Sequence, residues 1–274
     1  MTVAEALAQA RTLGLERLDA QMLLARALRQ PRAWLIAHDD TPLSAVQQQH
    51  FAVDCRRRAE GEPLAYLLGE REFHGLLLQV SPAVLVPRPD TETLVDWALE
   101  LLASMPTQAP AVADLGTGSG AIALALKHAQ PLARVCAVEL SAPALAVAHA
   151  NAERLGLQVE WLAGSWWQPL RGRRFDMVLS NPPYVPEGDP HLPALRHEPL
   201  LALSPGGDGL SALREIVQGA PAQLADGGWL LVEHGYDQAD AVCNMLRHSN
   251  FDSIATRTDL AGRPRCSGGC WHEV

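Results

Sequence analysis

The chain has 274 residues, of which 48% are hydrophobic and 19% are charged. A chain of this length and composition can bury a core without disulfides or metals, which excludes a disordered, collagen-like or coiled-coil protein. Its formal net charge of −9 argues against binding to nucleic acid through many phosphate contacts, so we expect no direct nucleic-acid partner. The sequence contains no long uncharged apolar run, so it does not predict a membrane-spanning helix.

The N-terminal part of the chain, residues 1–70, carries the spacing of short helices. Thr2 and Glu5 form a capping-box pattern in front of apolar residues that recur at helical spacing. Thr41-Pro42 predicts the start of a longer helix that ends near Gly61. We therefore predict a small helical-bundle domain over residues 1–70, and no catalytic constellation stands out in it.

From about residue 71 the periodicity changes, and strands alternate with helices over most of the remaining chain. Short apolar segments on both sides of His74-Gly75 predict a β-hairpin linker over 71–86. Alternating strands and helices over 87–274 predict a mostly parallel sheet with helices on both faces. The predicted strands are Ala111–Leu115, Arg134–Glu139, Val159–Leu162, Phe175–Ser180 and Trp229–His234, and the predicted helices fall near 91–104, 119–129, 142–155, 209–225 and 237–248.

A glycine-rich segment, Asp114–Gly120, follows the first of these strands and opens a helix. Glycines let the backbone turn sharply and approach a ligand closely, so this order predicts a cofactor loop. The spacing of Gly116, Gly118 and Ala121 also fits the dinucleotide pattern, which leaves the identity of the cofactor open at this point. Glu139 ends the next strand, where an acid accepts hydrogen bonds from both ribose hydroxyls of an adenosine-containing cofactor.

The segment Asn181-Pro182-Pro183-Tyr184 follows a later apolar strand. Consecutive prolines fix the backbone and remove two donors, so nearby carbonyl groups stay free to accept hydrogen bonds. Asn181 offers an amide oxygen, and Tyr184 offers a flat apolar face. Together these groups suit a planar NH2 group, whose two hydrogens meet acceptors while a ring stacks on its plane.

With Asp-Leu-Gly-x-Gly-x-Gly after the first strand and Asn-Pro-Pro-Tyr after the fourth, the chain resembles the Rossmann-like S-adenosylmethionine methyltransferases that act on planar nitrogens. The wider pattern is similar to the peptide-chain release factor glutamine methyltransferases, the HemK/PrmC family, over nearly the whole chain. The segments that carry this second resemblance are 80–92, Asn181–Tyr184, Asp189–Leu192, Glu198-Pro199 and Glu233–Gly235. It implies an α/β fold, with a Rossmann-like methyltransferase sheet, the N-terminal helical bundle and the hairpin linker.

The resemblance also implies an activity and a set of site residues. Such an enzyme transfers a methyl group from S-adenosyl-L-methionine to N5 of the glutamine side chain in the Gly-Gly-Gln motif of release factors. Residues 1–70 would then recognise the substrate, and 87–274 would catalyse the transfer. The implied cofactor-binding residues are Gly116, Thr117, Gly118, Ser119, Gly120, Glu139, Asn181 and, beside the adenine, Trp166. The implied substrate-binding residues are Asn181, Pro182, Pro183 and Tyr184, of which Asn181, Pro182 and Tyr184 are catalytic.

Some features depart from the family pattern. Ser165 stands where the family has an aspartate, and the adjacent Trp167 leaves open which indole contacts the adenine. The C-terminal segment fits the family poorly. Its Cys266-x3-Cys270-x-His272 lacks a fourth ligand at tetrahedral zinc spacing, so we expect no metal.

The sequence leaves three alternative functions to consider, and it also predicts a cellular location. A nucleic-acid N-methyltransferase acting on adenine or guanine amino groups would use the same Asn-Pro-Pro-Tyr, although the chain has no basic stripe. An NAD-dependent oxidoreductase would fit the glycine spacing but lacks an evident acid or base for hydride transfer, and a non-catalytic adaptor conflicts with an intact Asn181–Tyr184. Five cysteines, an odd number, and an N-terminus without a signal pattern favour the cytoplasm, where we expect a monomer with no membrane partner.

Overall fold

The computed structural model describes residues 1–273, and the chain divides into two compact units. The first unit is Met1–Arg71, and the second begins at Glu72. The first unit contains only helices up to its last residues. They are α1 (Val3–Thr12), α2 (Arg17–Leu28), α3 (Trp34–Ala37), α4 (Ala45–Ala59) and α5 (Leu64–Leu68). The apolar faces of these helices enclose a core of their own, which contains the fully buried Leu23, Leu24 and Phe51.

Side-chain caps determine where two of these helices begin. Helix α1 starts after the predicted capping box, in which Thr2 and Glu5 hydrogen-bond each other's backbone N–H groups. The prediction that α4 starts at Thr41-Pro42 is wrong, because Ser44 is its N-cap and forms a capping box with Gln47. Thr41 cannot start a helix here, since its carbonyl accepts from the Val3 N–H in an extended segment.

A short hairpin follows the helices, and the boundary between the two units lies inside its first strand. Strand β1 (Glu70–Phe73) and strand β2 (Leu76–Gln79) form a two-stranded sheet. His74 and Gly75 connect them with φ of 48° and 79°. Two successive positive φ values are typical of the two-residue turns that match the twist of a hairpin.

The second unit is built on a seven-stranded sheet with the order β5-β4-β3-β6-β7-β9-β8. The first five strands of this order pair in parallel, whereas β9 pairs antiparallel with both β7 and β8. The strands are β3 (Ala111–Leu115), β4 (Arg134–Glu139), β5 (Glu160–Ala163), β6 (Phe175–Ser180), β7 (Leu224–Glu233), β8 (Phe251–Thr258) and β9 (Pro264–Trp271). The helices of this unit are α6 (Glu92–Ser104), α7 (Ala121–Ala129), α8 (Ala142–Leu155), α9 (Ser211–Gly219) and α10 (Ala239–His248). The predicted α/β class and mostly parallel sheet are confirmed.

Successive residues of the central strands pack into two different cores, one on each face of the sheet. Val112 belongs to the core that contains α6 and α7, whereas its neighbour Ala113 belongs to the core that contains α9 and α10. In β6, Met177 and Val178 divide between the two cores in the same way. This two-residue period is the geometry of a strand that is buried on both faces.

The C-terminal third of the chain departs most from the sequence prediction. Strands β8 and β9 were not predicted, and they add an antiparallel edge beside β7. The helix predicted over 209–225 ends at Gly219, because a 3-10 turn and then β7 begin at 220 and 224. The prediction for β7 started five residues too late because Asp226-Gly227-Gly228 has the composition of a turn.

A buried asparagine links the hairpin to the main sheet region. Asn151, in α8, has no exposed surface. Its Oδ1 accepts from the Gln79 N–H at 2.6 Å, and its Nδ2 donates to the Gln79 and Ser119 carbonyls at 3.0 Å each. One side chain therefore holds the end of β2 against the loop that precedes α7.

We expect Asn151→Ala to lower the free energy of unfolding by about 2–4 kcal/mol, because the buried Ser119 carbonyl and the part-buried Gln79 backbone groups lose this partner. Urea unfolding of the full chain followed by circular dichroism measures the loss. Asn244→Ala, at an exposed position of α10, is the control and should change stability little. An Asn151→Ala variant as stable as this control would show that the hairpin is held by other contacts.

Candidate functional site

The carboxyl ends of three neighbouring parallel strands define the site. Leu115, the last residue of β3, is aligned with Val138 of β4 on one side and with Ser180 of β6 on the other. The residues that follow these positions therefore leave the sheet at the same edge. Ligands of open α/β sheets bind at this edge, where strand order reverses.

The glycine loop after β3 turns back over the end of β4. The N–H groups of Gly116 and Thr117 both donate to the Val138 carbonyl, at 2.9 and 3.1 Å. Gly116 has a φ of +73°, and a Cβ atom there would lie 3.0 Å from Cζ3 of Trp166. Only glycine satisfies both the left-handed backbone and this close contact.

Asp114 lies beneath the glycine loop and has no exposed surface. Burial raises the pKa of its carboxyl to about 7, although the hydrogen bond from Thr117 Oγ1 at 2.6 Å and the Ala123 backbone N–H oppose that rise. Its other oxygen, Oδ1, has no hydrogen-bond partner among residues 1–273. The sequence places Asp114 in the glycine motif but does not indicate a role for it, because burial of a strand-end acid is not visible in the sequence.

Glu139 ends β4 beside the glycine loop, and its carboxylate is held by backbone N–H groups. Gly118 N–H donates to Oε2 and Ser141 N–H donates to Oε1, both at 2.8 Å. The residue is 9% exposed. The carboxylate therefore has a fixed orientation, and each oxygen keeps a lone pair for a further donor.

The two tryptophans that the sequence left open have different environments. Trp166 lines the cavity described below and lies against Gly116, with its own backbone at a φ of +40°. Trp167 instead packs on α9, where its Nε1–H donates to the Glu215 carbonyl at 3.3 Å. The structure therefore brings Trp166, and not Trp167, to the glycine loop. A positive φ at a bulky residue is strained, and such strain is concentrated at functional sites.

The segment after β6 is anchored from behind. Asn181 Nδ2 donates to Thr91 Oγ1 at 3.1 Å. Tyr184 donates its hydroxyl to Oε1 of Glu233 at 3.0 Å, and burial raises the pKa of this phenol. The sequence interpretation assigned only a ring face to Tyr184, and the structure adds a hydrogen bond that Tyr184→Phe would remove. Pro182 is buried.

A cavity of about 330 Å³ joins these elements. This volume lies at the lower end of the range of about 300–1,000 Å³ that is usual for small-molecule sites. The predicted site residues that line it are Gly116, Thr117, Gly118, Ser119, Glu139, Trp166, Asn181 and Pro183. Among the described residues, the predicted site members that do not line it are Gly120, Pro182 and Tyr184.

Residues from distant parts of the chain complete the cavity wall. The segment before α6 contributes Pro87, Arg88 and Thr91. Arg88 forms an ion pair with the buried Glu198, which also accepts from the Val86 N–H at 3.0 Å. The family resemblance includes the segment 80–92 and Glu198-Pro199. It did not indicate that the Glu198 side chain binds residues of the first segment.

Cys266 and Cys270 lie on strand β9, His272 follows that strand, and none of the three lines the cavity. Ligand atoms of Asp252, Cys270 and His272 lie within 4.8 Å of one another, and Cys266 does not belong to this group. His272 is paired with Asp226 at 3.2 Å and with Asp252 at 3.6 Å.

Within residues 1–273, no helix has the length and apolar character needed to cross a membrane.

The chain matches known proteins over nearly its whole length. Two domain families match it, the PrmC N-terminal domain over residues 2–69 and the methyltransferase small domain over residues 91–198. It is 49% identical to the release factor glutamine methyltransferase of Bordetella pertussis, with 93% of this chain and 95% of the relative covered. It is 48% identical to the release factor glutamine methyltransferase of Xylella fastidiosa (strain Temecula1), with 96% of each covered.

Solved structures share the fold at lower identity. The methyltransferase of Pyrococcus furiosus matches with a TM-score of 0.53 at 18% identity, covering 73% of this chain and 90% of that one. The T. thermophilus 16S rRNA methyltransferase RsmC, in complex with AdoMet and guanosine, matches with a TM-score of 0.54 at 19% identity, covering 73% and 49%. These two likenesses show the methyltransferase fold alone. The identity and coverage of the curated relatives show more: the chain belongs to the release factor glutamine methyltransferase family.

Proposed function

We propose that the protein methylates the side-chain amide nitrogen, N5, of the glutamine in the Gly-Gly-Gln motif of peptide chain release factors, with S-adenosyl-L-methionine as the methyl donor. One observation carries the proposal: Glu139, an acid suited to a ribose, and Asn181, an amide suited to a planar NH2 group, line the same cavity. The relatives named release factor glutamine methyltransferases support the choice of acceptor.

The strand-end residues fit an adenosyl cofactor. Glu139, held by two backbone N–H groups, has free lone pairs for two ribose hydroxyls. Gly116 keeps the loop free of a side chain where the cavity is narrow, and Trp166 offers a flat face for an adenine. When bound, the cofactor supplies a methyl group on a sulfonium; the N–C bond forms as the S–C bond breaks, and the nitrogen then loses its proton to water.

The residues of Asn181–Tyr184 would position the acceptor amide. An amide nitrogen is a poor nucleophile, because its lone pair is delocalised into the carbonyl. Asn181 Oδ1 and the Pro182 carbonyl would accept from its two N–H groups and favour a more tetrahedral nitrogen, whose lone pair is then available. Orientation and preorganised polar contacts of this kind are sufficient for catalysis without a side-chain base.

Recognition of the release factor is assigned to residues 1–70, with 71–86 as the linker and 87–274 as the catalytic domain. The match of residues 2–69 to the PrmC N-terminal domain supports this division. Exposed apolar side chains in this part of the chain, among them Leu18, Ile36 and Val46, offer contact area for a protein partner. We place the enzyme in the cytoplasm as a monomer, because its proposed substrate acts there and the site is formed by one chain.

We expect Glu139→Ala to weaken S-adenosylmethionine binding by about 2–4 kcal/mol, because two charge-assisted hydrogen bonds to the ribose are lost. Isothermal titration calorimetry measures the dissociation constant. Glu153→Ala, an exposed glutamate of α8, is the matched control and should bind like the wild type. An unchanged dissociation constant in Glu139→Ala would remove its ribose role.

Asn181→Ala should lower kcat by about 10²–10³ while cofactor affinity stays nearly intact, because one of the two acceptors for the substrate NH2 is lost. Single-turnover transfer of a tritiated methyl group to a release factor measures this loss, with Asn244→Ala as the control. RNA and DNA are offered in parallel reactions. Methylation of nucleic acid instead of the release factor would support the nucleic-acid N-methyltransferase interpretation.

Removal of residues 2–70 should raise KM for the release factor strongly and leave cofactor binding near the wild-type value. The second unit has its own buried cores, so we expect it to stay folded. Circular dichroism checks the fold before KM and the cofactor dissociation constant are measured. An unchanged KM would contradict the assignment of release-factor recognition to residues 1–70. A folded truncation without cofactor affinity would contradict the assignment of cofactor binding to the second unit alone.

A further inference from the structure

Three side chains with metal-ligating atoms lie together at the antiparallel edge of the sheet. Asp252 of β8 is the direct partner of Cys270 of β9 in the strand register. Directly paired residues have their side chains on the same face of a sheet, and the residue two positions further along a strand shares that face. Strand pairing therefore brings a carboxylate, a thiol and the imidazole of His272 to one place, and their ligand atoms lie within 4.8 Å of one another.

The distances between these atoms match those of a tetrahedral zinc site. His272 Nε2 lies 3.5 Å from Cys270 Sγ and 3.6 Å from Asp252 Oδ2. Zinc binds sulfur at about 2.3 Å and nitrogen or oxygen at about 2.0–2.2 Å, so two ligands of a tetrahedral zinc ion lie about 3.3–3.6 Å apart. The imidazole nitrogen is thus already at the required distance from both other ligands.

A carboxylate outside this group orients the histidine ring. His272 Nδ1 lies 3.2 Å from Asp226 Oδ1, and the same oxygen accepts from the Glu273 N–H at 3.1 Å. A carboxylate can only accept, so Nδ1 carries the proton, and in the neutral ring Nε2 keeps its lone pair for a ligand. Histidines that bind metals are generally held by a carboxylate or carbonyl in this way.

The three side chains differ in burial. Cys270 is 7% exposed, whereas the side chains of Asp252 and His272 are 61% and 55% exposed. The thiol therefore forms the floor of the group, and the carboxylate and the imidazole form its rim. A metal ion can enter from solvent, and water can take the fourth position of a tetrahedral ion.

We propose that Asp252, Cys270 and His272 bind a zinc ion at this edge of the sheet. Asp226 is a positioning residue, which orients the imidazole and does not touch the ion. A zinc–sulfur bond replaces the S–H bond of the thiol, and the proton passes to water. Thiolate and imidazole ligands favour zinc, whereas Mg²⁺ and Ca²⁺ take oxygen ligands.

The sequence spacing did not reveal this set of ligands. No metal was expected because Cys266-x3-Cys270-x-His272 lacks a fourth ligand at tetrahedral zinc spacing. In the structure Cys266 lies outside the group, and Asp252 joins it from another strand. Only the pairing of β8 with β9 brings this carboxylate to the thiol and the imidazole.

Titration of the untagged full chain with zinc chloride tests the proposal. The protein is first freed of metal with a chelator and kept reduced, and isothermal titration calorimetry then gives the stoichiometry and the dissociation constant. We expect one Zn²⁺ per chain. Cys270→Ser and His272→Gln should each weaken zinc binding more than about 100-fold, because loss of even an outer partner of a ligand costs about 10–100-fold.

Two variants outside the group serve as matched controls. Cys243→Ser, half-buried on α10, and His248→Gln, exposed on the same helix, should bind zinc like the wild type. Circular dichroism checks that every variant is folded. Since His272 is exposed, His272→Gln decides the question if Cys270→Ser does not fold. An excess of magnesium or calcium chloride should not displace the zinc.

The ion should stabilise the fold rather than take part in catalysis, because the residues that line the cavity include none of its ligands. An ion that binds only the folded chain raises the unfolding temperature. Zinc should therefore raise the unfolding temperature of the wild type and leave that of His272→Gln unchanged.

Cobalt(II) reports the ligands directly. A tetrahedral cobalt ion bound to a thiolate gives intense visible bands and a sulfur-to-cobalt charge-transfer band in the near ultraviolet. We expect both in the wild type, and Cys270→Ser should lack the charge-transfer band. Asp226→Asn should keep both bands while it binds zinc about 10–100-fold more weakly, because the imidazole loses the carboxylate that orients it.

Three results would overturn the inference, and none of them depends on methyl transfer. The first is a wild-type chain that binds zinc only in the millimolar range, or not at all. The second is wild-type affinity in folded Cys270→Ser and His272→Gln variants. The third is a cobalt spectrum without the sulfur band. Wild-type affinity in Asp226→Asn would remove the positioning role of that residue.

Discussion

Strand β3 is hydrogen-bonded on both edges to parallel strands, β4 on one side and β6 on the other. Parallel pairing brings the carboxyl ends of all three strands to one edge of the sheet, with neighbours about 4.8 Å apart. The glycine loop, Glu139 and Asn181 follow these ends and therefore lie close together. A slip of one residue would turn the buried side chains of β3 to the wrong face, so the two cores hold the register that the site requires.

Three strands of this sheet carry an acid at or near the carboxyl end, and each acid is buried: Asp114, Glu139 and Glu233. A buried carboxylate is costly unless donors surround it. Glu139 has two backbone N–H donors, Asp114 has Thr117, and Glu233 has a phenol and a nearby guanidinium. Asp114 and Glu233 each keep one oxygen without a hydrogen-bond partner within residues 1–273. Each of these two side chains can therefore accept a further hydrogen bond.

The wall of the cavity depends on contacts between segments that are far apart in the chain. Glu198 accepts from the Val86 N–H and pairs with Arg88, which holds the proline-stiffened segment before α6 beside the sheet. This placement brings Thr91 behind Asn181, ninety residues later in the chain. The Asn181 side chain is thus held by a segment that the ion pair between Arg88 and Glu198 keeps in place.

The sequence by itself determined the strands whose apolar runs are bounded by glycine, proline or charged residues. Three strands have the predicted bounds: Ala111–Leu115, Arg134–Glu139 and Phe175–Ser180. It also determined the family, because the glycine loop and Asn-Pro-Pro-Tyr are contiguous motifs. Strands β8 and β9 were missed, since their strand character depends on pairing with β7 and with each other.

Only the tertiary structure decided which tryptophan faces the glycine loop and which side chain holds Asn181. Trp166 and Trp167 are adjacent in the sequence, and packing of Trp167 on α9 separates their roles. Thr91, which accepts from the Asn181 amide, lies ninety residues earlier in the chain. Local sequence patterns do not connect two such distant segments, because their contact exists only once the segments are packed together.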